Sequence, residues 1–305
     1  MKALRYLIPA VVAFGLAVPA TAQQLGSYTQ YMLNPYSINP GAAGSKDYYQ
    51  LRLHYRNQWV GITDSPKTYS LSYFGRKPKN ERTGLGVTVF SDKTGPSSRT
   101  GFQGTYTHHL KLGENLKLGL GLGLGMVNYS INTGDIYVKD KDDLVFTNGK
   151  LTTTQPDGSF GAYMYSQKFY LGFSVQQLLA SELNWAYTNS KMAGHQFIMA
   201  GYKFKVKDKM IIEPSVLVRH VKPVPMQLDM GITFDYMDRV KFGAQYRTKD
   251  AVAIIVGYNL KRKLYFGYSY DMINSALKSY TSGTHEIMLS YRLVKIEEEE
   301  SQMTY

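Results

Sequence analysis

Met226-Gln227-Leu228-Asp229-Met230-Gly231-Ile232-Thr233-Phe234-Asp235-Tyr236 is followed, after a short turn, by Val240-Lys241-Phe242-Gly243-Ala244-Gln245-Tyr246-Arg247. Every second residue is apolar or aromatic: Met226, Leu228, Met230, Ile232, Phe234 and Tyr236, then Val240, Phe242, Ala244 and Tyr246. The residues between them are small, polar or charged. A period of two puts successive side chains on opposite faces and specifies strand. A soluble antiparallel sheet with one wet face has this pattern. So does a membrane-spanning barrel hairpin with lipid outside and water or protein inside.

The same alternation recurs along the chain. Tyr49, Leu51, Leu53 and Tyr55 oppose Gln50, Arg52, His54 and Arg56; Tyr69, Leu71 and Tyr73 oppose Ser70 and Ser72. Leu116 to Leu124 alternate with Lys117, Gly119, Gly121 and Gly123. A phosphate-binding glycine loop needs a turn into a helix, which is missing here, so glycine at every second position makes room on the inner face of a strand. Further strands are expected at about 84–89, 102–107, 158–166, 168–176, 194–204, 209–219, 251–260, 262–270 and 283–293, about fourteen in all. An even number of strands near ten residues each is the pattern of outer-membrane barrels. The connections at 76–82, 111–115, 167, 205–208, 237–238 and 261 are short, whereas 57–67, 127–157, 177–193 and 271–282 are long. Outer-membrane barrels have short periplasmic turns and longer outer loops. The fold class read from the sequence is therefore all-β, a transmembrane antiparallel barrel of about fourteen strands.

Composition agrees with this. The 305 residues include 26 Tyr and 28 Gly, and 44% are hydrophobic. There is no cysteine, which excludes disulfides, thiolate metal sites and cysteine nucleophiles. The N-terminus reads as a signal peptide over 1–22: Lys2 and Arg5, an apolar core from Leu7 to Val18, and Ala20-Thr21-Ala22 as the cleavage site. The longest apolar run lies there, and no span of helical length follows it. Of 35 Lys and Arg, removal of Lys2 and Arg5 leaves 33 against 23 Asp and Glu, a formal charge of +10. That excess suits anionic partners or lipid; nucleic acid is not expected for an exported chain. Residues 23–46 form an N-terminal leader, expected on the periplasmic side and packed on or in the barrel at 47–294. Its two Asn-Pro pairs break regular structure while Tyr31, Met32, Leu33, Tyr36 and Ile38 invite packing. Residues 295–305, with Glu297 to Glu300, form an acidic tail.

No catalytic arrangement emerges. The six histidines lack metal spacing, and no Gly-x-Ser-x-Gly elbow occurs. Asp135, Asp140, Asp142 and Asp143 lack the glycine and glutamate of a calcium loop. No cofactor and no metal are expected. The inward positions carry mixed charge, with Arg52, Lys117, Glu213, Arg219, Asp229, Asp235, Lys241, Arg247, Glu286 and Arg292, which points to a hydrated or salt-bridged lumen.

Several segments carry a resemblance. Gln30-Tyr31-Met32-Leu33-Asn34-Pro35 and Asn39-Pro40-Gly41-Ala42-Ala43-Gly44 open the mature chain. Tyr55-Arg56-Asn57-Gln58-Trp59 follows, with Pro66 and Tyr69-Ser70 beyond it. Tyr268-Ser269-Tyr270-Asp271 and Ser282-Gly283-Thr284-His285-Glu286-Ile287-Met288-Leu289-Ser290-Tyr291 stand near the end. Together they are similar to the PorP/SprF family of type IX secretion system outer-membrane proteins, over essentially the whole mature chain. Where that family more often has Asn-Pro-Ala-Tyr/Phe-Ala-Gly, this chain has Gly41-Ala42 and lacks the aromatic. The resemblance implies an integral outer-membrane protein that is not an enzyme. It implies partners among the type IX machinery and a secreted cargo protein, including gliding adhesins, with outer-membrane lipid around the barrel. Gln30, Tyr31, Met32, Asn34, Pro35, Asn39, Pro40, Gln58, Trp59, His285 and Glu286 are the partner-contact candidates it supplies. A diffusion porin or solute transporter is the competing reading.

Overall fold

The computed structural model describes residues 25–77, 80–135, 149–179, 182–185, 188–207 and 209–293. The signal peptide, the acidic tail and Asp140, Asp142 and Asp143 lie outside the described residues.

Strands are β1 Tyr49–Asn57, β2 Lys67–Arg76, β3 Thr83–Thr94, β4 Ser97–Lys111, β5 Lys117–Asn132, β6 Lys150–Tyr165, β7 Phe169–Gln176, β8 Glu182–Trp185, β9 Thr188–Lys191, β10 His195–Tyr202, β11 Phe204–Val206, β12 Met210–Val221, β13 Val224–Tyr236, β14 Val240–Arg247, β15 Ala251–Leu260, β16 Leu264–Ile273 and β17 Thr284–Leu293. Fourteen of them close an antiparallel barrel. Neighbours in sequence pair in turn, β7 joins β10, β10 joins β12, and β1 pairs with β17 at the seam. β11 continues the β10 edge against β12, and β8 and β9 form a separate hairpin. Closure pairs each of the fourteen barrel strands on both sides, as a membrane demands of a sheet.

The alternation sorts outside from inside as the sequence indicates. Leu120, Ile232 and Ile254 are exposed on the outer wall, whereas Gly121, Thr233 and Ala253 are buried inside. Tyr55 and Tyr69 pack against each other on the outer wall near one rim, and Tyr49 and Tyr73 near the other. Aromatic bands at both interfaces fit a lipid-embedded wall.

Two features depart from the sequence reading. β4, β5 and β6 run well past their expected ends, and the connection expected over 127–157 shrinks to the stretch between Asn132 and Lys150. In this extension the polarity inverts: Val127 and Tyr129 are buried with Met192, while the exposed Asn128 donates to Thr154 at 2.8 Å. A wall that leaves the lipid meets water outside, so period two persists while its polarity swaps. Secondly, the β3–β4, β12–β13 and β14–β15 connections on the long-loop side are as tight as the turns opposite, with only two or three residues each.

Residues 25–48 precede β1, and the stretch from Thr29 to Gly44 lies in the lumen. Three 3-10 turns, Tyr31–Leu33, Pro35–Ser37 and Pro40–Ala42, carry the segment, two of them starting at proline as a fixed φ permits. At Leu25 the leader lies at the long-loop rim, where the Leu25 N–H donates to His195 Nε2 at 3.3 Å. It crosses the lumen and reaches the short-turn rim, where Gly44 sits against Gly75 and Gly84 and β1 starts.

Candidate functional site

The leader bridges opposite walls of the lumen and leaves a cavity of about 100 Å³ between Tyr28 and Tyr36 on its own side and Thr88, Arg99 and Gln176 on the wall. Tyr31 Oη lies 3.4 Å from Ser215 Oγ on β12, and Tyr36 Oη donates to Thr105 Oγ1 on β4 at 2.9 Å. Asn39 Nδ2 donates to the carbonyls of Ala162 and Phe173 at 3.0 and 3.2 Å, bridging β6 and β7. Arg52 of β1 donates to the Leu33 carbonyl. Tyr31, Met32, Tyr36 and Ile38 pack with the inward Phe74, Tyr163, Tyr170, Phe197, Met199, Leu217 and Ile255 into an apolar core inside the barrel.

The glycine ladder of β5 is the mould for this segment. A Cβ at Gly121 would overlap the Gly41 nitrogen and the Pro40 carbonyl group, and one at Gly119 would overlap the Gly41 carbonyl oxygen. Gly161 on β6 faces Asn39 and Pro40 in the same way. Room made on the inner face is therefore occupied by polypeptide.

Near the long-loop rim the leader is held by charge. Glu286 of β17 accepts from the Thr29 N–H at 2.8 Å and the Gln30 N–H at 3.0 Å. The same carboxylate accepts from Arg56 Nη1 of β1 at 2.9 Å, and Arg56 Nη2 donates to Asp271 of β16 at 2.7 Å. Thr29 Oγ1 donates to Asp271 at 2.9 Å and accepts from Arg56 at 2.8 Å and Arg247 at 3.2 Å. Arg247 continues the chain of charges to Asp271, Asp250 and Asp229. Arg56, Asp271, Glu286 and Thr29 are at most 1% exposed. Buried charges are tolerated only when each is paired and hydrogen-bonded, and this cluster meets that condition by including the leader backbone. Arg56 and Glu286 are direct cross-strand partners at the β1–β17 seam, so one ion pair joins the two ends of the wall and grips the leader.

The segments that carried the resemblance meet here. Gln30, Tyr31, Met32, Asn34, Asn39, Pro40 and Glu286 are buried in the lumen, and their contacts in this structure are with the barrel's own wall. Pro35 is half-buried within the leader. His285 points to the outer face, where Nδ1 pairs with Tyr268 Oη at 2.7 Å. Gln58 and Trp59 sit at the long-loop rim: the Gln58 N–H donates to the Pro66 carbonyl and the Trp59 N–H to Thr284 Oγ1. Val60 and Gly283 then link the loop after β1 to the loop before β17. Thr29, Arg56 and Asp271 were absent from the candidates; their local surroundings are ordinary, and only the pairing of distant strands brings them together. Among the described residues no group of three acidic or histidine side chains is arranged to hold a metal ion.

A profile of type IX secretion system membrane proteins of the PorP/SprF type matches residues 20–291. The chain belongs to the PorP/SprF family. No curated protein sequence matches it. Among solved structures, CymD, a monoaromatic hydrocarbon channel, is 12% identical with a TM-score of 0.51, covering 93% of this chain and 97% of that one. Omp33 of Acinetobacter baumannii is 11% identical with a TM-score of 0.47, covering 82% and 100%. These likenesses concern the barrel fold alone. This PorP/SprF protein is thus an integral outer-membrane barrel of the type IX secretion system.

Proposed function

We propose that this barrel serves the type IX machine through protein contacts, supporting secretion or surface attachment of particular cargo proteins such as adhesins, and that it neither catalyses a reaction nor conducts solutes. The observation that carries this reading is the occupied lumen: the leader bridges opposite walls, and Arg56, Asp271, Glu286 and Arg247 pair with one another and with the leader. A pore selective for one solute class shows a coherent set of charges or donors along an open path; here acids and bases neutralise each other. Partner recognition then falls to the rims. On the long-loop side these carry the joined loops around Gln58, Trp59 and Ser282, with Trp59 as a partly exposed aromatic of the kind that anchors interfaces. The competing porin reading has the barrel fold in its favour and the occupied lumen against it.

The test is deletion of the gene, with surface proteomics beside a solute-uptake assay. Loss of one or a few large surface proteins with uptake spared is the expected result. Normal surface cargo with a nutrient-uptake defect overturns the proposal in favour of the porin.

A further inference from the structure

β1 rises from the short-turn rim, yet the leader that precedes it starts at the opposite rim. Leu25 bonds to His195, the first residue of β10 on the long-loop side. Gly26 packs against Thr68 near the long-loop end of β2, and Thr29 sits among Arg56, Asp271 and Arg247, all at the long-loop ends of their strands. From there the segment descends past Asn34–His54 and Tyr36–Thr105 to Gly44 beside Gly75 and Gly84 at the short-turn rim. Leu25 to Tyr28 are partly exposed, whereas Thr29 and Gln30 are fully buried. The chain therefore traverses the whole lumen before the wall begins.

Only two residues, Gln23 and Gln24, separate Leu25 from the expected cleavage site after Ala22. Two extended residues reach about 7 Å, while the hydrocarbon layer is about 25–30 Å thick. A terminus tethered to Leu25 cannot return to the short-turn side. Outer-membrane barrels keep short turns in the periplasm and long loops outside. We propose that the leader opens at the cell surface, with Leu25 to Tyr28 on the same face as the Trp59 loop and the 274–283 loop and the mature N-terminus emerging on that side of the membrane. This places the start of the leader on the outer side, opposite the periplasmic expectation drawn from the sequence. It also supplies the outward face with a free polypeptide end, held four residues from its exit by the Thr29 clasp. The inference concerns topology alone and stands whether or not a cargo protein binds there.

The absence of cysteine makes the test direct. Gln24→Cys, Ser279→Cys in the loop before β17 and Lys261→Cys in the β15–β16 turn are made singly in the full-length protein. Intact cells are then exposed to a polyethylene-glycol maleimide too large for porins. Positions 24 and 279 should react on intact cells and 261 only after permeabilisation. N-terminal sequencing of the purified protein should begin at Gln23. If 279 reacts on intact cells while 24 stays silent, the leader does not reach the surface and the proposal fails. If 261 reacts and 279 does not, the barrel is inserted the other way and the proposal fails as well. In a strain that still exports its cargo normally, either result would leave the secretion reading untouched.

Discussion

Replacing Glu286 with glutamine should loosen the leader. Three donors converge on the Glu286 carboxylate: Arg56 Nη1 at 2.9 Å, the Thr29 N–H at 2.8 Å and the Gln30 N–H at 3.0 Å. Each hydrogen bond to a charged group contributes about 1.5–3 kcal/mol, and removing one member of a buried pair costs about 3–5 kcal/mol. Glutamine keeps one acceptor oxygen but turns an NH2 group toward these donors, and the charge opposite Arg56 is halved, since Asp271 remains. The lower end of that range applies, about 3 kcal/mol. At about 1.4 kcal/mol per tenfold change, the leader should leave its seat roughly a hundredfold more often. Met32, only 4% exposed in the lumen, is the reporter position. With Met32→Cys as background, Glu286→Gln should raise the maleimide labelling rate by about two powers of ten in the folded, heat-modifiable barrel. Glu81→Gln provides the contrast. Its carboxylate pairs with Lys111 at 3.2 Å on the exposed short-turn rim, where water and salt screen the attraction, and labelling should not change. A Glu286→Gln barrel that folds normally and labels at the parent rate would refute the clasp.

Two further outcomes follow from the wall. Gly121→Ala should destabilise the folded barrel by about 1–3 kcal/mol through overpacking against Pro40 and Gly41, whereas Gly104→Ala, with a single neighbour at 3.9 Å, should be tolerated; urea unfolding in bilayers compares them, and equal effects would mean the leader is not seated on β5. Ile254, half exposed on the outer wall, should cost about 2–4 kcal/mol as arginine if it sits at the bilayer midplane, while Ile254→Leu should be close to neutral in the same assay.

The barrel was legible because lipid outside and small or polar residues inside impose a period of two on every strand. Strand ends were less so. The signal is the run of apolar outward positions, and it stops at Met126 although β5 continues to Asn132, since the outward face beyond it meets water. The glycines of β5 told of space without telling what filled it; the filler, Asn39-Pro40-Gly41, lies about eighty residues earlier in the chain. The clasp was the least legible part. Arg56 and Glu286 are 230 residues apart and Arg56 and Asp271 are 215 apart, and no local pattern marks an ion pair that only seam closure creates. The resemblance rests on the segments that meet in the lumen, and their meeting place required the strand register.

The apolar cluster between leader and wall sets this protein apart from an open barrel in its response to temperature. Leu120, Ile232 and Ile254 face lipid whether the leader is in or out, so they contribute nothing to the difference between those states. Tyr31, Met32, Tyr36 and Ile38, with Phe74, Phe197, Met199 and Leu217 around them, would meet water if the leader left. Only these inner contacts carry the heat-capacity signature of apolar burial, and such burial weakens on cooling. Cold therefore acts selectively on the seat of the leader and spares the wall, so the apolar part of the hold on the N-terminal segment relaxes as the cell cools while the barrel around it stays closed.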